Sequence, residues 1–288
     1  MGLAFAVGVA LNSAFVLVEV GAGFWTGSLA LLADAGHNLS DVLGLLLAWG
    51  ATHLARRAPT ARRTYGLGKG TILASLANAV LLLLAVGGIV TESIHRLTDP
   101  VSIQSRVVML TAAVGIVINT ATALMFMRGS QGDLNVRSAF VHMASDALVS
   151  LAVVVGAALM AWTGRSWIDP VLGLGIAVVV LLGTWGLLRD SVNMALDAAP
   201  PGVDVDAVRN WLCGQPGVHE VHDLHIWAMS TTETALTAHL IRPTAEDGDH
   251  FLHAACEGLA ERFGIRHATL QIETNPAGVC RLAPAEVV

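Results

Sequence analysis

Residues 33–43 read ADAGHNLSDVL, and they stand inside an apolar run that extends from Leu29 to Leu54. Asp34, His37 and Asp41 therefore occupy positions where a lipid-facing helix carries hydrocarbon. His37 and Asp41 are one helical turn apart, so they share a face. About 100 residues further on, FVHMASDALVS (140–150) repeats the form H-x-x-S-D with His142 and Asp146. An ionisable group at the middle of a spanning helix costs about 2.5–3.5 kcal/mol on insertion scales. Two such pairs at matching depth require a compensating partner.

The composition sets the medium. Of 288 residues, 54% are hydrophobic and 13% charged, against about 25% charged in an ordinary soluble domain. The mean hydropathy is +0.65. An integral membrane protein is expected. The opening MGLAFAVGVALNS has no basic residue and runs straight into an apolar segment, so the first helix is expected to be retained rather than cleaved.

A span needs about 20 apolar residues. Six segments qualify: Leu3–Phe24, Leu29–Leu54, Leu67–Ile94, Val101–Met127, Leu134–Trp162 and Ile168–Leu188. Arg56, Arg57, Arg62, Arg63 and Lys69 lie between the second and third, Arg128 and Arg137 around the next loop on that side, and Arg189 after the sixth. Arg96, Arg106 and Arg165 face the other way. The positive-inside rule then puts both termini in the cytoplasm, for a multi-pass protein of the cell inner membrane.

Past APPGVD the pattern changes. Residues 1–200 carry 11 basic and 10 acidic residues, whereas 201–288 carry 5 and 12, with seven of the eleven histidines. VDAVRNWLCGQ and DGDHFLHAACEGLAERFG have helical spacing. VHEVHDLHIWAMS and TALTAHLIRP alternate as strands joined at STTE, and HATLQIET reads as a third strand. The expected architecture is an α-helical membrane domain of six transmembrane helices (1–199) followed by a small α+β, αββαβ, ferredoxin-like cytoplasmic domain (200–288). Cys213, Cys256 and Cys280 are an odd number without framework spacing, so no disulfide scaffold is expected.

Two imidazoles and two carboxylates, His37, Asp41, His142 and Asp146, complete a tetrahedral shell suited to Zn²⁺. Softer ions favour thiolate, and Ca²⁺ or Mg²⁺ favour oxygen alone. Ser40 and Ser145 are read as packing residues. Asp34 either lines an exit path or caps its helix. Glu19, Asn12 and Asn119 either line the pathway or bond between helices. Glu92 and Asp169 lie near helix ends where water is expected to reach them, with Asp169 a candidate N-cap before Pro170.

At this point the chain resembles the cation diffusion facilitator family of divalent-metal exporters. GSLALLADAGHNLSD is similar to the family's second-helix signature and HMASDALVS to its fifth. RTYGLGKG, ESIHRLTDP, WIDPVLG and VHDLHIW are similar to family segments between and after them. The resemblance implies a homodimer, each protomer with one transport site, and metal/proton antiport by alternating access. Two histidines with two aspartates resemble the zinc-selective members. Cadmium, cobalt and nickel are also possible cargo. No organic cofactor, enzymatic activity or nucleic-acid partner is expected. The chain departs from many members at Thr71, where they carry an acidic residue. The loop RRAPTARRT has no His, Asp or Cys, so no metal is expected there.

The same resemblance implies metal ligands in the cytoplasmic domain. His222, His239 and Glu273 match family positions, and His267 and Cys280 are near-matches. His219, His250 and His253 read as surface residues. Zinc displaces protons from its ligands, so inward proton flow would drive its export, with His37 and His142 carrying the exchange. Two other readings are a membrane-anchored metal sensor and an intramembrane zinc hydrolase. The paired sites argue against the first. The absence of H-E-x-x-H and a four-ligand shell argue against the second.

Overall fold

In the computed structural model, residues 3–55, 57–127, 134–243 and 248–274 are described. Among them run six long helices, α1 (Leu3–Thr26), α2 (Leu29–Ala55), α3 (Gly70–Thr98), α4 (Ser105–Met127), α5 (Leu134–Thr163) and α6 (Ile168–Ala195). They follow the six apolar segments, with ends shifted by a few residues. Four stretches are long and apolar enough to cross a membrane among the described residues: Gly70–Thr98, Ser105–Leu124, Val141–Thr163 and Ile168–Ala195. After them come α7 (Val205–Cys213), β1 (Glu220–Ala228), β2 (Thr234–Ile241), α8 (Gly248–Phe263) and β3 (Ile265–Glu273), the αββαβ order read from the sequence.

The chain forms two compact units, Met1–Leu46 with Ala77–Gly186, and Leu47–Leu76 with Leu187–Val288. In the first, polarity is turned inside out. Leu17, Phe24, Leu84, Val117 and Leu182 are exposed, while Glu19, Asp34, Asp146 and Asp169 are at most 1% exposed. Hydrocarbon pointing outward and carboxylates inward is the arrangement a lipid solvent favours. The core between helices is built of small residues, among them Ala30, Ala33, Ala112, Ala157 and Ala177, which let backbones approach. Gly115 shows how close: a Cβ there would stand 2.8 Å from the Phe15 ring and 3.2 Å from Ser150 Oγ.

The start of α2 is fixed from a distance. Asp169, in the first turn of α6, accepts hydrogen bonds from the backbone N–H groups of Leu29 (2.6 Å) and Ala30 (3.4 Å) and from Ser28 Oγ. Ser28 itself caps α2 by accepting from Leu31 N at 3.2 Å. Asp169 thus caps another helix rather than its own, and it is fully buried rather than wetted at a helix end. Its charge also sits at the positive pole of the α2 dipole.

In the second unit, β2 is central, antiparallel to β1 and parallel to β3. The parallel pair is joined by α8, the crossover such pairing needs. Val208, Leu212, Ile226, Leu236, Leu240, Leu259 and Ile265 form the core beneath one sheet face. Asp204 caps α7 by accepting from Ala207 N. The β1–β2 turn is closed by Ser230 Oγ, which accepts from Glu233 N at 3.0 Å. The same turn meets the start of α3. Thr231 N donates to Thr71 Oγ1 at 3.0 Å, and Gly68 is so close to the turn that a Cβ would stand 2.9 Å from Met229 O.

Candidate metal centre

On α2 and α5 the i,i+4 spacing sets one His and one Asp on the facing side of each helix. The four side chains then meet crosswise. His142 Nε2 lies 3.2 Å from Asp41 Oδ2 and 3.7 Å from Asp146 Oδ2, and His37 Nε2 lies 3.6 Å from Asp146 Oδ1 and 3.9 Å from Asp41 Oδ2. Tetrahedral zinc with bonds near 2.0–2.2 Å needs ligand atoms about 3.3–3.5 Å apart. The observed separations bracket that value. Ligand atoms of His37, His142 and Asp146 all fall within 4.8 Å of one another. Asp146 is 1% exposed, and both its carboxylate oxygens, together with Asp41 Oδ2, are buried without a hydrogen-bond partner. Orphaned carboxylate oxygens facing imidazole nitrogens are what a cation would satisfy. His37, Asp41 and His142 remain 26%, 35% and 39% exposed, so the cage has an open side.

The two serines of the repeat differ. Ser40 is buried and donates to Asn78 of α3 at 3.4 Å. Ser145 is exposed in the single chain and bonds back to Val141 O in its own helix. Asp34 is fully buried and does not cap α2, whose start is held by Ser28 and Asp169. It accepts from Ser150 Oγ of α5 at 2.9 Å and from Asn38 Nδ2 at 3.5 Å. Glu19 of α1 accepts from the same amide at 3.1 Å, a bond between helices.

The cytoplasmic residues come together by way of a bulge. His222 pairs with His239 and His225 with Thr237, so Asp223 and Leu224 together oppose Ala238. Asp223 takes a left-handed φ of 50° there. The bulge puts His222 and His225 on one sheet face although they are three residues apart. On that face His239 Nδ1 is 3.2 Å from Glu273 Oε1, and His222 Nε2 is 3.5 Å from Glu273 Oε2. His222 is 5% exposed, and neither of its ring nitrogens has a hydrogen-bond partner. Ligand atoms of His222, His239 and Glu273 lie within 4.8 Å of one another.

Asp223 joins this group, 3.5 Å from His239 Nε2 and 2.9 Å from His225 Nε2. Strict alternation puts it on the opposite face, and only the bulge turns it in. His267 is elsewhere: it is exposed on β3 and meets the Tyr65 ring edge-on at 5.4 Å. Cys280 lies outside the described residues. His219, His250 and His253 are exposed, as read from the sequence.

Residues 5–194 match the family model of the cation efflux transmembrane domain. The chain belongs to the cation efflux family. Residues 200–275 match the cation efflux protein cytoplasmic domain, so this is a multi-pass membrane transporter, not an enzyme, with a cytoplasmic C-terminal domain. Among curated relatives, the cation efflux system protein CzcD of Alcaligenes sp. (strain CT14) is 36% identical over 94% of this chain and 86% of its own length. Zinc transporter ZitB of Escherichia coli (strain K12) is 37% identical over 95% of this chain and 87% of its own. A "Cadmium, cobalt and zinc/H(+)-K(+) antiporter" of Bacillus subtilis (strain 168) is 32% identical, covering 91% and 85%.

Proposed function

We propose that this cation efflux protein exports zinc in exchange for protons, by alternating access through a tetrahedral cage of His37, Asp41, His142 and Asp146. The observation that carries the reading is the crosswise spacing of 3.2–3.9 Å between imidazole and carboxylate atoms of α2 and α5. The ligand set is nitrogen and oxygen in equal parts, which suits Zn²⁺ and leaves cadmium and cobalt as further cargo. The names of the relatives point the same way: one is a zinc transporter, another a cadmium, cobalt and zinc antiporter.

Bound zinc needs neutral imidazole and ionised carboxylate, so protons and metal compete for the same atoms. Cytosolic zinc displaces protons in the inward-facing state, and external protons release it in the outward-facing state. The membrane domain occupies 1–199 and the cytoplasmic domain 200–288, with both termini in the cytoplasm of a bacterial-type inner membrane. The protein acts as a homodimer assembled through the cytoplasmic domain. There His222, His239 and Glu273 take a regulatory zinc ion that stiffens the domain when zinc is abundant.

Flux into proteoliposomes with an imposed pH gradient tests the reading. Zinc uptake should follow the gradient and vanish in Asp146→Ala. Uptake indifferent to the gradient would refute antiport. Uptake unaffected by the substitution would refute the cage.

A further inference from the structure

Behind the cage lies a second polar cluster that no ligand role uses. Glu19 of α1 and Asp34 of α2 are both 0% exposed, and the described residues put no lysine or arginine against them. Asn38 Nδ2 donates to Glu19 Oε2 (3.1 Å) and to Asp34 Oδ1 (3.5 Å), and Ser150 Oγ donates to Asp34 Oδ2 (2.9 Å). Both carboxyl groups accept from this one amide, which sets them side by side. Glu19 Oε1 and Asn38 Oδ1 are buried and have no hydrogen-bond partner.

Ionised carboxylates only accept, and one amide and one hydroxyl are the donors that reach this pair among the described residues, with Glu19 Oε1 left bare. Two full negative charges side by side in a dry interior are more costly than one shared proton. From this geometry we infer that Glu19 and Asp34 hold one proton between them and that this proton is exchanged against the metal. The inference rests on the cage assignment above. The charged groups that act on the pair are Asp146 of α5 and His37 of α2. The only charged residue of α4 is Arg106, exposed in its first turn.

A divalent cation entering the cage adds positive charge beside the pair. Glu19–H···Asp34⁻ then gives up its proton to water, leaving two carboxylates whose charge the bound metal offsets. No other bond changes. By linkage the return of the proton weakens metal binding by the same factor. The pair is thus a proton site apart from the four ligands, tied to α5 by Ser150, one turn beyond Asp146.

The test is calorimetric zinc binding to the full-length protein in buffers of different ionisation enthalpy, which counts protons released per zinc. Asp146→Ala gives the contribution of all other sites. Glu19→Gln and Asp34→Asn keep the hydrogen-bonding shape without an exchangeable proton, and each should bind zinc at the cage while releasing about one proton fewer than wild type. A wild-type proton count in either variant that still binds zinc overturns the proposal. So does a requirement for potassium or sodium in wild-type binding, which would make the pair an alkali-cation site. If Asp146→Ala retains cage binding, the cage assignment fails instead. Infrared difference spectroscopy of the wild type needs no variant: a protonated-carboxyl stretch should bleach on adding zinc, and its absence before zinc overturns the proposal.

Discussion

His142 lies closer to Asp41 on the opposite helix (3.2 Å) than to Asp146 one turn along its own (3.7 Å), and His37 likewise favours Asp146 (3.6 Å) over Asp41 (3.9 Å). The sequence repeat is H-x-x-S-D on each helix, but the working pairs run between helices. Asp41 and His142 should therefore act as a unit. Alanine at either position is expected to weaken zinc binding at the cage by more than about 100-fold, beyond the 10–100-fold typical of outer-shell partners. The double variant should cost little more than either single one, because one missing ligand already opens the cage. Additive losses in a double-mutant cycle would contradict this.

Asp169 should matter to α2 although it belongs to α6. It accepts from two backbone N–H groups and one hydroxyl, all buried. Asp169→Ala leaves those donors unpaired and should lower stability by about 1–3 kcal/mol. Thermal unfolding in detergent would read this, with Asp169→Asn intermediate. An unchanged midpoint in Asp169→Ala would show that the cap contributes nothing.

Thr71 has a role that its lack of charge conceals. Its hydroxyl accepts from Thr231 N at 3.0 Å and donates to Gly68 O at 2.9 Å. Thr71→Val keeps the shape and loses both bonds, about 1 kcal/mol each. Amide exchange of the β1–β2 turn should then speed up roughly fivefold or more, with Thr71→Ser restoring the slow rate. Equal exchange in wild type and Thr71→Val would rule out the link.

The sheet-face group makes its own prediction. His222 is buried with both ring nitrogens unpartnered, 3.5 Å from Glu273. His222→Ala should remove one zinc equivalent from the full-length protein while leaving the equivalent lost in Asp146→Ala. Acid should compete for this site, since both imidazoles must be neutral to bind metal. An unchanged zinc count in His222→Ala would argue against a metal here.

The described cysteines should differ in reactivity. Cys213 is exposed, whereas partial burial in α8 raises the Cys256 thiol above its ordinary value and shrinks its thiolate fraction near neutral pH. In a Cys280→Ser background, maleimide should label Cys213 first, and Cys256 should catch up as pH rises. Faster labelling of Cys256 would contradict the burial seen in α8.

The long apolar helices, the order αββαβ and the one-turn spacing of His37–Asp41 and His142–Asp146 were legible in the sequence because each depends on local spacing. Twenty apolar residues make a span, an i,i+4 pair shares a helical face, and alternation makes a strand. The partners of Asp34 and Asp169 were not legible. Asp169 meets Leu29 across 140 residues, and Asp34 meets Ser150 across 116. Which helix faces which is set by packing of small residues, and packing has no period along one chain. Asp223 was hidden for a different reason: a single extra residue in β1 reverses the side-chain alternation on which strand reading depends. The sequence by itself determined that two apolar helices each carry a histidine and an aspartate one turn apart. Only the tertiary structure decided that they pair crosswise, and that Glu19 and Asp34 share one amide donor with no lysine or arginine against them among the described residues.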